Sequence, residues 1–182
     1  METLAREAGA TVANTSRHLQ VLKQARLVEA RKDGVRVFYR LANENVLRYW
    51  KHLQALAASQ LPDVREVARR YIDERDGMEP ISRDELQQRI RKDEVIVLDV
   101  RPVEEYEAGH IPGAISVPLA ELEQHLDEIP SDREAVAYCR GPYCVLSVEA
   151  VALLRGVCRR AVRLADGLPE WREAGLDVEN SS

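Results

Sequence analysis

The sequence predicts two domains of different class: a mainly α N-terminal unit ending in a hairpin, and a C-terminal α/β unit whose parallel sheet carries helices on both faces. Three observations predict this. Residues 2–41 read as helix, turn, helix and two alternating strands closed at Asp33-Gly34, a strong two-residue hairpin signal. From residue 78 onward, apolar strand-like runs alternate with helical patterns, the order that gives a parallel sheet. The charge divides along the same line: ten Lys/Arg stand against five Asp/Glu in residues 1–60, and sixteen against twenty-six in the remainder. A small basic part joined to an acidic part suggests that only the first meets a polyanion.

Composition narrows the class. Hydrophobic residues make 45% of the chain, enough for a real core, and charged residues 31%, ordinary for a globular protein. No run approaches the roughly 18–20 apolar residues that span a bilayer. The start, Met1-Glu2-Thr3-Leu4-Ala5-Arg6-Glu7, has no apolar signal core. The expected location is the cytoplasm, with no membrane partner. The three cysteines, Cys139, Cys144 and Cys158, cannot all pair within one chain and do not suggest a disulfide scaffold.

Taken in order, residues 2–8 form a helix ended by Gly9. Thr11 caps a second helix running to about Ala25, with Leu19, Val21 and Leu22 inside and Asn14, Ser16, Arg17 and Gln20 mostly outside. Leu27–Lys32 and Val35–Leu41 read as the two strands of the hairpin. Helix, turn, helix and a basic-tipped hairpin form the winged helix-turn-helix order. A helix with short polar side chains and an Arg can enter a major groove, and Arg31, Lys32 and Arg36 can reach phosphates from the wing. Residues 43–60 form a long helix with a Val46, Leu47, Trp50, Leu53, Leu56 stripe. Residues 61–77 read as a charged helical linker, broken from the preceding helix by Pro62 and ended by Gly77.

The stretch Asn14-Thr15-Ser16-Arg17-His18-Leu19-Gln20-Val21-Leu22, followed by Leu27-Val28 and the Gly34 wing, resembles the recognition helix and wing of the arsenic-repressor (ArsR) family of transcriptional regulators. The resemblance implies DNA binding through residues 1–60 and a homodimer paired through the helix at 43–60. Two departures stand out. The family carries about two more helices ahead of this point, so the start is either truncated or minimal. Its metal-sensing Cys-x-Cys is also missing, with Leu4-Ala5-Arg6-Glu7 in that place. His18 and His52 have no metal-ligand companions in sequence, so neither a metal nor a cofactor is expected.

In residues 78–182, Ile81-Ser82 leads into a capped helix, and Val95–Val100 is a fully buried strand. Val117-Pro118-Leu119 leads into a helix near 121–128. Val136–Tyr138 is the strand that delivers Cys139, Ser147–Arg155 the helix behind it, Cys158–Leu164 another strand, and Leu168–Ala174 the last helix. Cys158, on a strand, is expected to be buried and inert. Cys139 heads the loop Cys139-Arg140-Gly141-Pro142-Tyr143-Cys144-Val145, between a strand end and a helix N-terminus. There, backbone N–H groups and the positive end of the helix stabilise a thiolate, which is the nucleophilic form of Cys. The bland alternative is a buried core thiol.

Four pieces in order decide between them: Asp99-Val100-Arg101 at a strand end, Gly109-His110-Ile111-Pro112-Gly113-Ala114, the Cys139 loop, and Gly167 four residues before Trp171. This order resembles the rhodanese family of sulfurtransferases over roughly residues 78–178. The resemblance implies that Cys139 takes sulfur from a small donor, thiosulfate or a persulfide, and passes it to a thiol acceptor. It also implies that Asp99 and Arg101 are supporting residues, that His110 belongs to a rigid turn, and that Trp171 packs beneath the site. Arg140 either orients an anionic donor or stands as a solvent-facing charge. Cys144 and Val145 depart from the many rhodaneses that carry Arg near the loop's end. Cys144 either resolves the Cys139 persulfide, making the loop a thiol switch, or is an apolar loop residue. A phosphatase with a Cys-headed loop needs Arg six positions after the Cys. Val145 stands there, which excludes that class.

Overall fold

The computed structural model describes residues 2–60, 66, 70, 80–142 and 144–180. The chain divides into two compact units, Met1–Val64 and Arg65–Ser182. Most of the helical linker read at 61–77 lies outside the described residues. No helix among the described residues is long and apolar enough to cross a membrane.

The first unit runs α1 (Glu2–Glu7), α2 (Val12–Gln24), β1 (Val28–Asp33), β2 (Arg36–Leu41) and α3 (Glu44–Gln60). Thr11 caps α2, its Oγ1 accepting from the Asn14 amide at 3.3 Å. The packed side of α2 runs through Thr15 and, one turn on, half-buried Leu19. Val21 lies off that side at 56% exposed, and Leu22 sits on its margin, so neither is the inner residue that the sequence suggests. The two strands pair antiparallel with Asp33 opposite Arg36. The turn residues are therefore Gly34-Val35, one position later than Asp33-Gly34. Gly34 takes φ +57°, which suits glycine at the first turn position.

The second unit runs α4 (Arg83–Arg91), β3 (Val95–Asp99), α5 (Val103–Glu107), β4 (Ile115–Ser116), β5 (Glu134–Cys139), α6 (Val145–Gly156), β6 (Ala161–Gly167) and α7 (Leu168–Glu173). Its sheet is parallel throughout, in the order β4-β3-β5-β6. Side chains alternate across the sheet. Ala135, Ala137 and Cys139 therefore enter the core that contains Ala150, Val151 and Leu154 of α6. Val136 and Tyr138 enter the opposite core, with Leu86 of α4 and Leu168 and Trp171 of α7. Ser82 caps α4 by accepting from the Glu85 amide at 3.2 Å.

Three expectations are corrected. Residues 121–128 do not form an α-helix. They hold a single 3-10 turn, Leu122–Gln124, because Leu122 and Ile129 are both anchored in the core and i→i+3 bonds span between them. The last strand begins at Ala161 rather than Cys158. Cys158 is exposed at φ +59° and closes α6: its amide donates to Arg155 O at 2.9 Å, and the Arg159 amide to Leu154 O at 3.0 Å. That is a Schellman turn with Cys where Gly is usual. The short elements α5 and β4 are additions to the sequence reading.

Candidate active site

The rim of the sheet is built by a buried ion pair. Asp99 ends β3 with no exposed surface and accepts from the Arg101 amide (3.1 Å), Arg101 Nε (2.8 Å), Arg101 Nη2 (2.5 Å) and the Tyr138 hydroxyl (2.5 Å). Arg101 Nη2 also donates to Gly109 O at 2.8 Å. The Ile111 amide donates to the Tyr138 hydroxyl at 3.1 Å. One carboxylate thus joins the ends of β3 and β5 to the turn at 109–114. Burial by itself lowers the Arg101 pKa, but the hydrogen bond and charge of Asp99, with Tyr138 and Glu105, hold it above its usual value. The Tyr138 hydroxyl is pushed strongly up, first by burial and then by the Asp99 charge.

His110 is buried inside the same turn. Its Nδ1–H donates to Tyr106 O at 2.9 Å and its ring stacks on Tyr106 at 3.7 Å. Its backbone pairs with Glu179. The Tyr106 hydroxyl donates to Ala114 O at 2.9 Å. A histidine held at both its ring and its backbone is a strut of this turn.

Tyr138 faces one core, so the next residue, Cys139, faces the other and stands at the carboxyl end of β5 with 1% exposed. Open α/β sheets place their ligands at that end. Arg140 leaves the strand and its guanidinium meets Glu105: Nη2 donates at 2.6 Å, and Nε to both carboxylate oxygens at 3.0 and 3.1 Å. Gly141 follows at φ +153°, a backbone conformation that disfavours L side chains. Pro142 is exposed, and Tyr143 lies outside the described residues. Cys144 is the N-cap of α6, and its amide donates to Gly141 O at 3.1 Å. Val145 is the first residue of the helix. Cys139 and Cys144 are joined by a disulfide, with their Cα atoms 6.3 Å apart. Behind the loop lies Gly167, paired in register with Cys139 across β5 and β6. A Cβ there would stand 2.3 Å from Gly141 N and 2.5 Å from the Arg140 carbonyl carbon. The Gly167 amide donates to Glu170 Oε2 at 2.9 Å, which places the Glu170 carboxylate beside Gly141.

Trp171 belongs to the core on the face opposite Cys139, and its Nε1 donates to Asp177 O at 2.8 Å. Sequence reasoning named Asp99, Arg101, the loop and the Gly167–Trp171 motif but missed the roles of Tyr138 and Glu105. The signals were present. Tyr138 directly precedes Cys139, and Glu105 is one helical turn beyond Arg101.

In the first unit, Asn14, Arg17 and Gln20 recur every third residue on the exposed side of α2, and Ser16 is half-buried. Arg31, Lys32 and Arg36 are exposed around the hairpin tip, with the Arg31 guanidinium 5.6 Å above the Phe38 ring. Along α3, Val46 and Leu47 are half-buried, whereas Trp50, Leu53 and Leu56 are exposed. Among the described residues, no three His, Cys, Asp or Glu side chains cluster to hold a metal ion.

Residues 82–174 match the rhodanese-like domain model. Over all 182 residues, the chain is 44% identical to the HTH-type transcriptional regulator Rv0324 of Mycobacterium tuberculosis, covering 80% of that protein. A sulfurtransferase of Allochromatium vinosum is 33% identical over 100 residues, 54% of this chain and 92% of the relative. Among solved structures, the BH2092 protein from Bacillus halodurans superposes with a TM-score of 0.54 at 29% identity, over 64% of this chain and 86% of that one. The chain therefore belongs to the rhodanese-like domain family through residues 82–174, and over its full length it is a relative of an HTH-type transcriptional regulator.

Proposed function

We propose that the protein is a DNA-binding transcriptional regulator of ArsR type whose rhodanese-like domain carries a persulfide on Cys139, coupling sulfur or redox state to DNA binding. The observation that carries this reading is the place of Cys139: the carboxyl end of β5, in the loop that opens onto α6, within a domain of rhodanese kind. The Cys139 thiolate attacks the outer sulfur of thiosulfate or of a persulfide. Sulfite or a thiolate leaves with the bonding electron pair, and Cys139 holds the outer sulfur. A small thiol then removes it, so the exchange is ping-pong. Loop amides stabilise the persulfide anion as an oxyanion hole stabilises oxygen. Asp99 and Arg101 act as positioning residues through the bonds to Tyr138 and Gly109.

DNA binding is assigned to residues 1–60, which run through 61–77 to the sulfur-handling domain at 78–182. Asn14, Ser16, Arg17 and Gln20 supply groove contacts, and Arg31, Lys32 and Arg36 supply phosphate contacts. The full-length likeness to an HTH-type transcriptional regulator supports this reading. The exposed Trp50, Leu53 and Leu56 of α3 support pairing with a second copy. A cytoplasmic setting fits both activities.

One observation favours a second reading. The bond between Cys139 and Cys144 suits a thiol switch that biases DNA affinity without turnover. A gel shift tests the coupling of Cys139 chemistry to DNA binding on which both readings depend. A duplex is first selected from a random pool by the reduced protein. Binding to it is then measured for wild type and Cys139→Ser, with and without glutathione persulfide. The proposal expects wild-type affinity to change with the persulfide and Cys139→Ser affinity to stay fixed. Identical responses in both proteins contradict it.

A further inference from the structure

The loop holds two sulfurs in direct reach of each other, and that changes what a persulfide on Cys139 can do. Cys139 is fixed at the end of a buried strand, and Cys144 is fixed at the N-cap of a twelve-residue helix. Cys144 is held on both sides of its backbone: its amide donates to Gly141 O at 3.1 Å, and its carbonyl accepts from Ser147 Oγ at 3.4 Å. Gly167 packs directly against the backbone of Arg140 and Gly141, where a Cβ would stand 2.3 Å from Gly141 N. Within this frame the two Sγ atoms are bonded, with β5 and α6 both intact. The side chain of Cys144 makes no cap hydrogen bond, and its sulfur stands at the end of the helix where amides point outward and negative charge is favoured.

We propose that the domain is also a sulfane-sulfur reductase, in which Cys144 intercepts the Cys139 persulfide and releases its outer sulfur as hydrogen sulfide. This deepens the persulfide reading and rests on it. The Cys144 thiolate attacks Cys139 Sγ, the inner sulfur. The bond between Cys139 Sγ and the outer sulfur breaks, and the outer sulfur leaves with the electron pair as hydrosulfide. The Cys139–Cys144 bond forms in its place. The sulfane sulfur gains two electrons, the two cysteines lose two, and no external oxidant enters. A dithiol reductant returns the loop to its starting state, with its own two thiols becoming a disulfide. Groups held in attacking geometry reach effective molarities of about 10⁵ M or more, far above any free thiol, so the internal acceptor outruns an external one. Attack on the inner rather than the outer sulfur follows from the structure, because it is the two cysteine sulfurs themselves that meet.

The test uses the full chain, reduced with dithiothreitol, desalted and kept free of oxygen. Glutathione persulfide labelled with heavy sulfur at its outer position is added, and intact mass and trapped labelled sulfide are followed together. Wild type is expected to lose two hydrogens and to release one labelled sulfide per chain. Cys144→Ser and Cys144→Ala are expected to keep one labelled sulfur on Cys139 and to release none above the protein-free control. Wild type that keeps the label, with neither disulfide nor sulfide, overturns this inference and leaves the persulfide carrier standing. A disulfide that forms equally fast without donor also overturns it. If the wild type and both variants take up no label and form no donor-dependent disulfide, the persulfide reading fails and the inference fails with it.

Discussion

The Tyr138 hydroxyl donates to Asp99 Oδ2 at 2.5 Å, so the residue just before Cys139 is tied to the end of the neighbouring strand. That bond sets the rim on which the sulfur stands. Tyr138→Phe deprives the Asp99 carboxylate of a donor and the Ile111 amide of its acceptor, both in the buried core. Asp99 keeps its bonds from Arg101, so the Ile111 amide is the group left unpaired, at a cost of about 1–3 kcal/mol. The expected result is a lowered melting temperature, together with slower labelling of Cys139 by a sulfur donor.

The same bond carries a pH dependence. The Tyr138 pKa is raised in the folded chain, by burial and then by Asp99. Above about pH 10 an unfolded tyrosine loses its proton while the folded one keeps it. The unfolded state then binds fewer protons, so stability falls as pH rises from there. Tyr106, raised by burial and by Asp99 and Glu179, acts in the same direction. Thermal melts between pH 8 and about pH 11 should show a steeper alkaline loss in wild type than in Tyr138→Phe. Equal slopes would assign the loss elsewhere.

Gly167→Ala places a methyl group 2.3 Å from Gly141 N, against backbone with no flexible side chain to yield. The loop must move away from β6. Overpacking of this sort costs about 1–3 kcal/mol. Circular dichroism is expected to show a retained fold, and closure of the Cys139–Cys144 disulfide under mild oxidant is expected to slow.

Glu105 binds Arg140 at the loop's first position, and both side chains are over a third exposed. An exposed pair contributes little to stability, about 0–1 kcal/mol. Glu105→Gln should therefore melt close to wild type. It should raise uptake of sulfur from dianionic thiosulfate relative to uptake from glutathione persulfide, because one carboxylate has been removed from beside the loop's cation. A ratio equal to wild type would show that Arg140 does not read donor charge.

For the N-terminal unit, Arg17→Ala is expected to weaken binding to the selected duplex. Arg31→Ala and Lys32→Ala are expected to weaken binding to any duplex alike. Each lost phosphate contact reduces the slope of log affinity against log salt by about 0.9. Titrations at several salt concentrations measure this.

Particular residues show how far sequence carries. The strand β5 was legible, and with it the place of Cys139 at its end, because a short apolar run followed by a Gly-Pro loop reads as a buried strand. The cap of α2 at Thr11 was legible because its chemistry is local. Cys158 was misread because an apolar stretch gives no sign of a left-handed helix end when the residue there is not glycine. The hairpin turn shifted by one residue because Asp33-Gly34 and Gly34-Val35 both carry a turn signal, and only strand pairing separates them. Glu105 was missed, and the close packing of Gly167 on the loop was not read, because both depend on what lies across the loop, which local pattern does not encode.

The central claim is that Cys139 accepts a sulfur atom. The most direct measurement is peptide mass mapping of the reduced full chain after exposure to heavy-sulfur glutathione persulfide, run on Cys144→Ser beside Cys139→Ser. The account predicts one labelled sulfur on the peptide containing residue 139 in Cys144→Ser, and none there in Cys139→Ser. A folded Cys144→Ser chain with that peptide unlabelled would contradict it.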